Sequence, residues 1–139
     1  MPRFVSFLYT YLYVFVWLTV CYIRAVKQAC AVYLKNRINR SWNADPIKPY
    51  ANQIPISSTD KMSIKQNILQ ILVNSTTSNI RVQIASLIGT IVSSDVPDQW
   101  PQFLEIVLQL LISNNFNEKF AGQLALHEIM KAWRLVCCY

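Results

Sequence analysis

The sequence predicts an all-α fold, an α-solenoid of antiparallel helix pairs. Three observations predict it. From residue 24 onward, apolar residues recur at helical spacing in segment after segment. Polar or proline-bearing breaks separate the segments. Corresponding helices begin about 40 residues apart, which is the period of HEAT-type repeats. The two glycines in 139 residues argue against a Gly-rich phosphate loop and against a turn-rich all-β fold.

The first helix is expected over Arg24–Trp42. Asn43–Pro55 reads as a loop, because Pro46, Pro49 and Pro55 push the residues before them out of helical geometry. The second helix starts near Ser58 or Thr59, either of which can cap it. In it Ile64, Ile68, Ile71 and Leu72 follow the i, i+4, i+7, i+8 rule, and the polar run Asn74–Ser78 stops it. The third helix runs from about Asn79 to Ser94–Asp95. Its Ile80, Ile84, Leu87, Ile88 and Ile91 form one stripe about 100° wide.

Pro97 marks the next break. Pro101 suits the first turn of a fourth helix, where its missing N–H is not needed. That helix continues to Ile112 with Phe103, Val107, Leu110 and Leu111 on one side. A fifth helix is expected over Asn117–Val136, with Leu126, Ile129, Met130 and Trp133 as its apolar stripe. One such pair cannot bury its apolar faces alone, whereas stacked pairs make a continuous core. A three- or four-helix bundle is the competing architecture.

Residues 1–23 are a hydrophobic segment set apart from the helical repeats of residues 24–139. Phe4–Ile23 is a run of 20 residues without charge, proline or glycine, and eight of them are aromatic. Its length suits one bilayer crossing, with the basic residues from Arg24 leaving the rest cytoplasmic. A signal peptide fits less well, since no small-residue cleavage site follows the run. A buried helix and a start that is not natural coding sequence are the other readings.

The net charge is +6. Arg24, Lys27, Lys35, Arg37, Arg40 and Lys48 crowd one stretch, opposed only by Asp45. Such a cluster suits nucleic acid, anionic lipid, an acidic protein face or plain solvation. No groove-reading motif accompanies it, so no nucleic acid is expected; a nucleic-acid binder would lose affinity steeply with salt.

Nothing suggests an enzyme, a cofactor or a metal. No nucleophile–base pair, paired carboxylates or phosphate loop is found. Cys21, Cys30, Cys137 and Cys138 match no zinc spacing and read as reduced thiols. His127, the only histidine, reads as a core or boundary residue; Glu128 beside it points about 100° away. Asp95 and Asp98 bracket a loop with no third metal ligand.

Ala25-Val26-Lys27-Gln28-Ala29-Cys30-Ala31-Val32-Tyr33-Leu34-Lys35-Asn36-Arg37-Ile38, closed by Trp42, resembles the N-terminal domain of the importin-β superfamily, the karyopherins. Asp95-Val96-Pro97-Asp98-Gln99-Trp100-Pro101-Gln102-Phe103-Leu104 resembles that family's D-[FY]-P-x-x-W-P-x-L-L segment, with Val96 for an aromatic and Phe103 for an aliphatic residue. Leu126-His127-Glu128-Ile129-Met130-Lys131 is similar to a third family helix. The balance of features is similar to the importin seven and eight branch, with the exportin-two-like branch as near rival.

The resemblance implies a fragment of a nuclear transport receptor, active in protein import between cytoplasm and nucleus. It implies a Ran-type small GTPase in its GTP state as partner, held by the inner helices one, three and five. Protein cargo and nucleoporins are implied for a full-length relative. It also implies a partner helix before Arg24, which the aromatic run does not resemble; this favours the mis-assigned start. Arg24, Gln28, Lys35 and Asn39 lie within one arc of about 60° on a helical wheel, opposite the apolar stripe. That arc, with Gln83, Ser86 and Thr90 of helix three, is expected to face the GTPase. Trp42, Pro97, Trp100 and Pro101 are expected to be structural, fixing how the pairs stack. The alternative function is a small membrane-anchored helical scaffold, for which Phe4–Ile23 would be the anchor.

Overall fold

The computed structural model describes residues 13–44 and 54–136, with side chains described to Arg134. Residues 4–12 of the aromatic run, Asp45, Pro46, Lys48, Pro49, Cys137 and Cys138 lie outside the described residues. All regular structure among the described residues is helical: residues 13–20, then α1 (Arg24–Ser41), α2 (Ser58–Asn74), α3 (Ser78–Asp95), α4 (Phe103–Ile112) and α5 (Phe116–Val136).

The helix boundaries follow from local chemistry. Ser57, not Ser58 or Thr59, caps α2. Its extended backbone lets its hydroxyl accept from the Asp60 N–H at 3.1 Å while donating to the Asp60 carboxylate at 2.8 Å. α4 begins at Phe103, two residues beyond Pro101. Residues 96–99 and 101–102 are turn, closed by the Phe103 N–H on the Trp100 carbonyl at 3.2 Å. Pro101 therefore stands in the lead-in turn rather than in the helix. α5 is capped by the Asn115 side chain, which accepts the Asn117 N–H at 2.9 Å.

α3 is the spine. It packs on α1 and on α5, while α2 lies on α3 and α5, and α4 lies on α5. α2 and α4 do not approach each other. Contacts between α1 and α3 join their C-terminal ends, and Arg81 near the start of α3 meets Asn117 and Phe120 near the start of α5. The inner row α1–α3–α5 is therefore parallel, and each outer helix returns antiparallel, as in a solenoid. Ile64, Ile68, Leu72, Ile84, Leu87, Ile88 and Ile91 fill the space between the rows and are fully or almost fully buried.

The expected stripe of α5 is corrected. Ile129 is buried, but Leu126, Met130 and Trp133 are exposed, at 38%, 64% and 44%. The buried side is Ala121, Ala125, Glu128 and Ile129. Small residues let α5 approach α3 and α4 closely, and that approach turns the bulky residues outward. Gly122 sits at the tightest point: a Cβ there would stand 3.1 Å from Leu110 Cβ, Leu111 Cγ and the Leu111 backbone nitrogen.

The described part of the aromatic run contributes to the core. Val14, Phe15 and Leu18 are buried with the α1 residues Ala31, Leu34 and Ile38. No described helix is long and apolar enough to cross a membrane.

Gly122→Ala tests the α4–α5 approach. The helix-propensity gain of about 1 kcal/mol is outweighed by a backbone contact that cannot rotate away. A net loss of about 1 kcal/mol, read as a lower urea midpoint at unchanged slope, is expected.

Candidate partner-binding face and the cluster that supports it

Four segments meet at Asp95, the last residue of α3. Its side chain is buried. The Trp42 indole N–H, just past α1, donates to Asp95 Oδ1 at 3.0 Å, and the Ser94 hydroxyl donates to the same oxygen at 2.7 Å. Lys65 of α2 pairs with Oδ2 at 2.5 Å and donates to the Gln99 carbonyl at 3.0 Å. The Lys65 ammonium also stands 5.8 Å from the Trp42 ring centre and 6.0 Å from that of Trp100, and Lys61 stands 5.1 Å from Trp42. Trp100 in turn packs on Phe103 with centroids 4.5 Å apart. Burial pushes the Asp95 carboxyl up, but the hydrogen bonds from Lys65, Ser94 and Trp42, with the Lys65 charge, outweigh it. The group is held below its ordinary value.

Of the residues expected to be structural, Trp42 and Trp100 are buried, while Pro97 and Pro101 are exposed in the turn between α3 and α4. The Val96–Pro97 peptide is cis.

The polar residues of the inner row lie along the seam between α1 and α3. The Thr90 hydroxyl donates to Asn39 Oδ1 at 2.6 Å, joining the two helices. Gln28, Lys35, Gln83 and Ser86 are half-buried. Arg24 is exposed at the first residue of α1, about 22 Å along the helix from Asn39. The arc on α1 thus borders the seam and does not stand opposite the apolar stripe. Ala31, Leu34 and Ile38 point into the core, and Asn39 reaches sideways to α3. Gln83 Oε1 is buried and has no hydrogen-bond partner among the described residues.

On the other side of α3, Glu128 of α5 is buried and held by Lys131 at 3.1 Å. Its Oε2 occupies the space beside Gly89, 2.5 Å from where a Cβ would stand.

This parallel inner row with an antiparallel outer row recurs in known proteins. Residues 21–74 match the family model described as the importin-beta N-terminal domain. The chain is 32% identical over 109 residues to an importin-alpha re-exporter of Schizosaccharomyces pombe and 28% identical over 110 residues to importin-8 of Mus musculus. Each alignment covers 78% of this chain and 11% of the relative. A solved structure, the exportin Cse1 in its cargo-free, cytoplasmic state, superposes with a TM-score of 0.73 at 26% identity, over 89% of this chain and 13% of that one.

The chain belongs to the importin-β superfamily.

Its α1 and α2 carry the matched importin-β N-terminal segment, and it spans about a tenth of the length of these relatives. Relatives of both the importin-8 and the re-exporter type match at comparable identity, so the kinship stands at the level of the superfamily rather than of the importin seven and eight branch. By their names these relatives are transport receptors, an importin and a re-exporter.

Sequence reasoning weighed Asp95 only as a metal ligand and passed over Lys65 and Gly89. Asp95 stood in a recognisable motif, but its partners lie 53 residues before it and on a different helix from either end of that motif.

One substitution tests the Asp95 cluster and another the α1–α3 seam. Because the folded carboxyl value of Asp95 is depressed, its stabilisation is fully present above the unfolded value of about 3.9 and is lost as pH falls through the folded value. Asp95→Asn leaves the Lys65 charge unpaired and is expected to cost about 3 kcal/mol at neutral pH, with a flatter acid limb in stability measured against pH. Gln83→Met removes an unpaired buried acceptor and is expected to add about 1 kcal/mol, read as a higher denaturation midpoint.

Proposed function

We propose that this chain serves as the N-terminal part of a nuclear transport receptor and holds a Ran-type GTPase in its GTP state against the inner row α1–α3–α5. Family membership supports the class of function. The observation that carries the site is the polar seam of Gln28, Lys35, Asn39, Gln83, Ser86 and Thr90 between two parallel inner helices. A folded partner reads such a seam through hydrogen bonds and charge rather than through apolar burial. Arg24 extends the same arc toward the start of α1 and supplies a peripheral charge.

Residues 13–20 act in this reading as the outer partner of α1. Protein cargo and nucleoporins bind elsewhere on a full-length receptor, which works between nucleus and cytoplasm.

The test is a titration of the chain with the GTPase loaded with GTP or with GDP. Preference for the GTP form is expected. Lys35→Glu is expected to lower that affinity about tenfold, since reversing a charge at an interface creates repulsion as well as removing attraction. Unchanged affinity would take Lys35 off the site. Equal affinity for the two nucleotide states would remove the GTPase reading.

A further inference from the structure

The helical stretch of residues 13–20 turns only one side to the core. Val14, Phe15 and Leu18 are buried, while Tyr13, Val16, Trp17 and Val20 are exposed, Trp17 at 48% and Val20 at 66%. Tyr22 and Ile23 follow, also exposed. An ordinary surface helix presents charge on its outer side; this one presents aromatic and branched apolar groups. The surface continues on α1. Ala25, Val26, Ala29, Cys30 and Tyr33 line, with Val14, an open trough of about 470 Å³.

Charge marks the same end. Residues 1–44 hold six cations and no carboxylate, while residues 45–139 hold seven of each. The entire net charge of +6 therefore sits in the first third of the chain. Arg24 follows the apolar patch directly. Arg37 and Arg40, one and two turns beyond Tyr33, lie on the α1 face that carries Ala29 and Tyr33.

We propose that this end of the molecule docks on an anionic lipid surface, with Trp17, Val20, Tyr22 and Ile23 seated at the headgroup level and Arg37 and Arg40 over the lipid charge. Trp and Tyr favour the membrane–water interface, where one edge of the ring is apolar and the other wet. Apolar insertion and cation attraction to acidic headgroups add in such a contact, and neither alone anchors firmly. The helix lies on the membrane and does not span it. The surface is distinct from the α1–α3 seam, which occupies another side of α1. A second copy of the chain seated on this face would bring Arg37 and Arg40 against their own counterparts, so charge complementarity favours lipid over self-association.

Co-sedimentation of the full chain with vesicles of phosphatidylcholine alone, and of phosphatidylcholine with phosphatidylserine, tests this. Binding to the phosphatidylserine vesicles at least about tenfold above the neutral ones, and weakening with salt, is expected. Trp17→Glu/Val20→Glu should reduce it about tenfold with helical circular dichroism unchanged, because both side chains stand on the outer side of the helix, away from the buried Val14, Phe15 and Leu18. Ile112→Glu/Met130→Glu, at the opposite end, controls for indiscriminate stickiness and should leave binding intact. Equal binding to both vesicles, or equal loss in both variants, overturns the proposal. So does a chain that ignores vesicles but loses a concentration-dependent dimer in the Trp17/Val20 variant, which would make this face a contact between copies.

Discussion

The carboxylate of Asp95 is the point on which the arrangement of helices turns. One oxygen receives the Trp42 indole and the Ser94 hydroxyl, and the other meets the Lys65 ammonium. Those partners come from the end of α1, from α2 and from α3 itself, and Lys65 reaches on to the carbonyl of Gln99 before α4. A buried charge costs several kcal/mol unless it is paired and hydrogen-bonded, so Asp95 is tolerated only when all these segments are in place. The cluster thereby fixes the register of one repeat against the next more strictly than apolar packing would, since apolar contacts are not directional.

The two inner seams differ. Between α3 and α5, Gly89, Ala121 and Ala125 permit close approach, and Glu128 fills the gap beside Gly89. Between α1 and α3 the inner edge is lined by amides and hydroxyls, joined by the Thr90–Asn39 bond and including the Gln83 oxygen, which has no partner among the described residues. Such polar groups contribute less to stability than the apolar residues beneath them. An orphaned buried acceptor is a cost that selection for stability alone would remove.

The helices and most of the core were legible in the sequence because both depend on spacing. The stripes of α2 and α3 are buried as their periodicity required, and the inner helices begin 38 residues apart, at Ser78 and Phe116. What depended on contacts between helices was not legible. The stripe of α5 was misassigned because Leu126, Met130 and Trp133 are more apolar than Ala121 and Ala125. Periodicity weighs bulk, whereas close helix approach selects small residues. The outer helices begin 45 residues apart, at Ser58 and Phe103, because the turn around Pro97–Gln102 takes up chain that the sequence assigned partly to α4. The polar arc of α1 was expected opposite the apolar stripe, but Ala31, Leu34 and Ile38 stand next to it on the helix and carry it to the border of the α1–α3 seam.

The separation of α2 from α4 has a mechanical consequence. The space between them is a groove of about 500 Å³, floored by Met62, Leu69, Val73, Trp100, Ile106 and Leu110. Because α2 rests on both α3 and α5, its side toward α4 is the one left open. A change in tilt between successive pairs would be taken up first in the width of that cleft, since there no packed contact has to be broken.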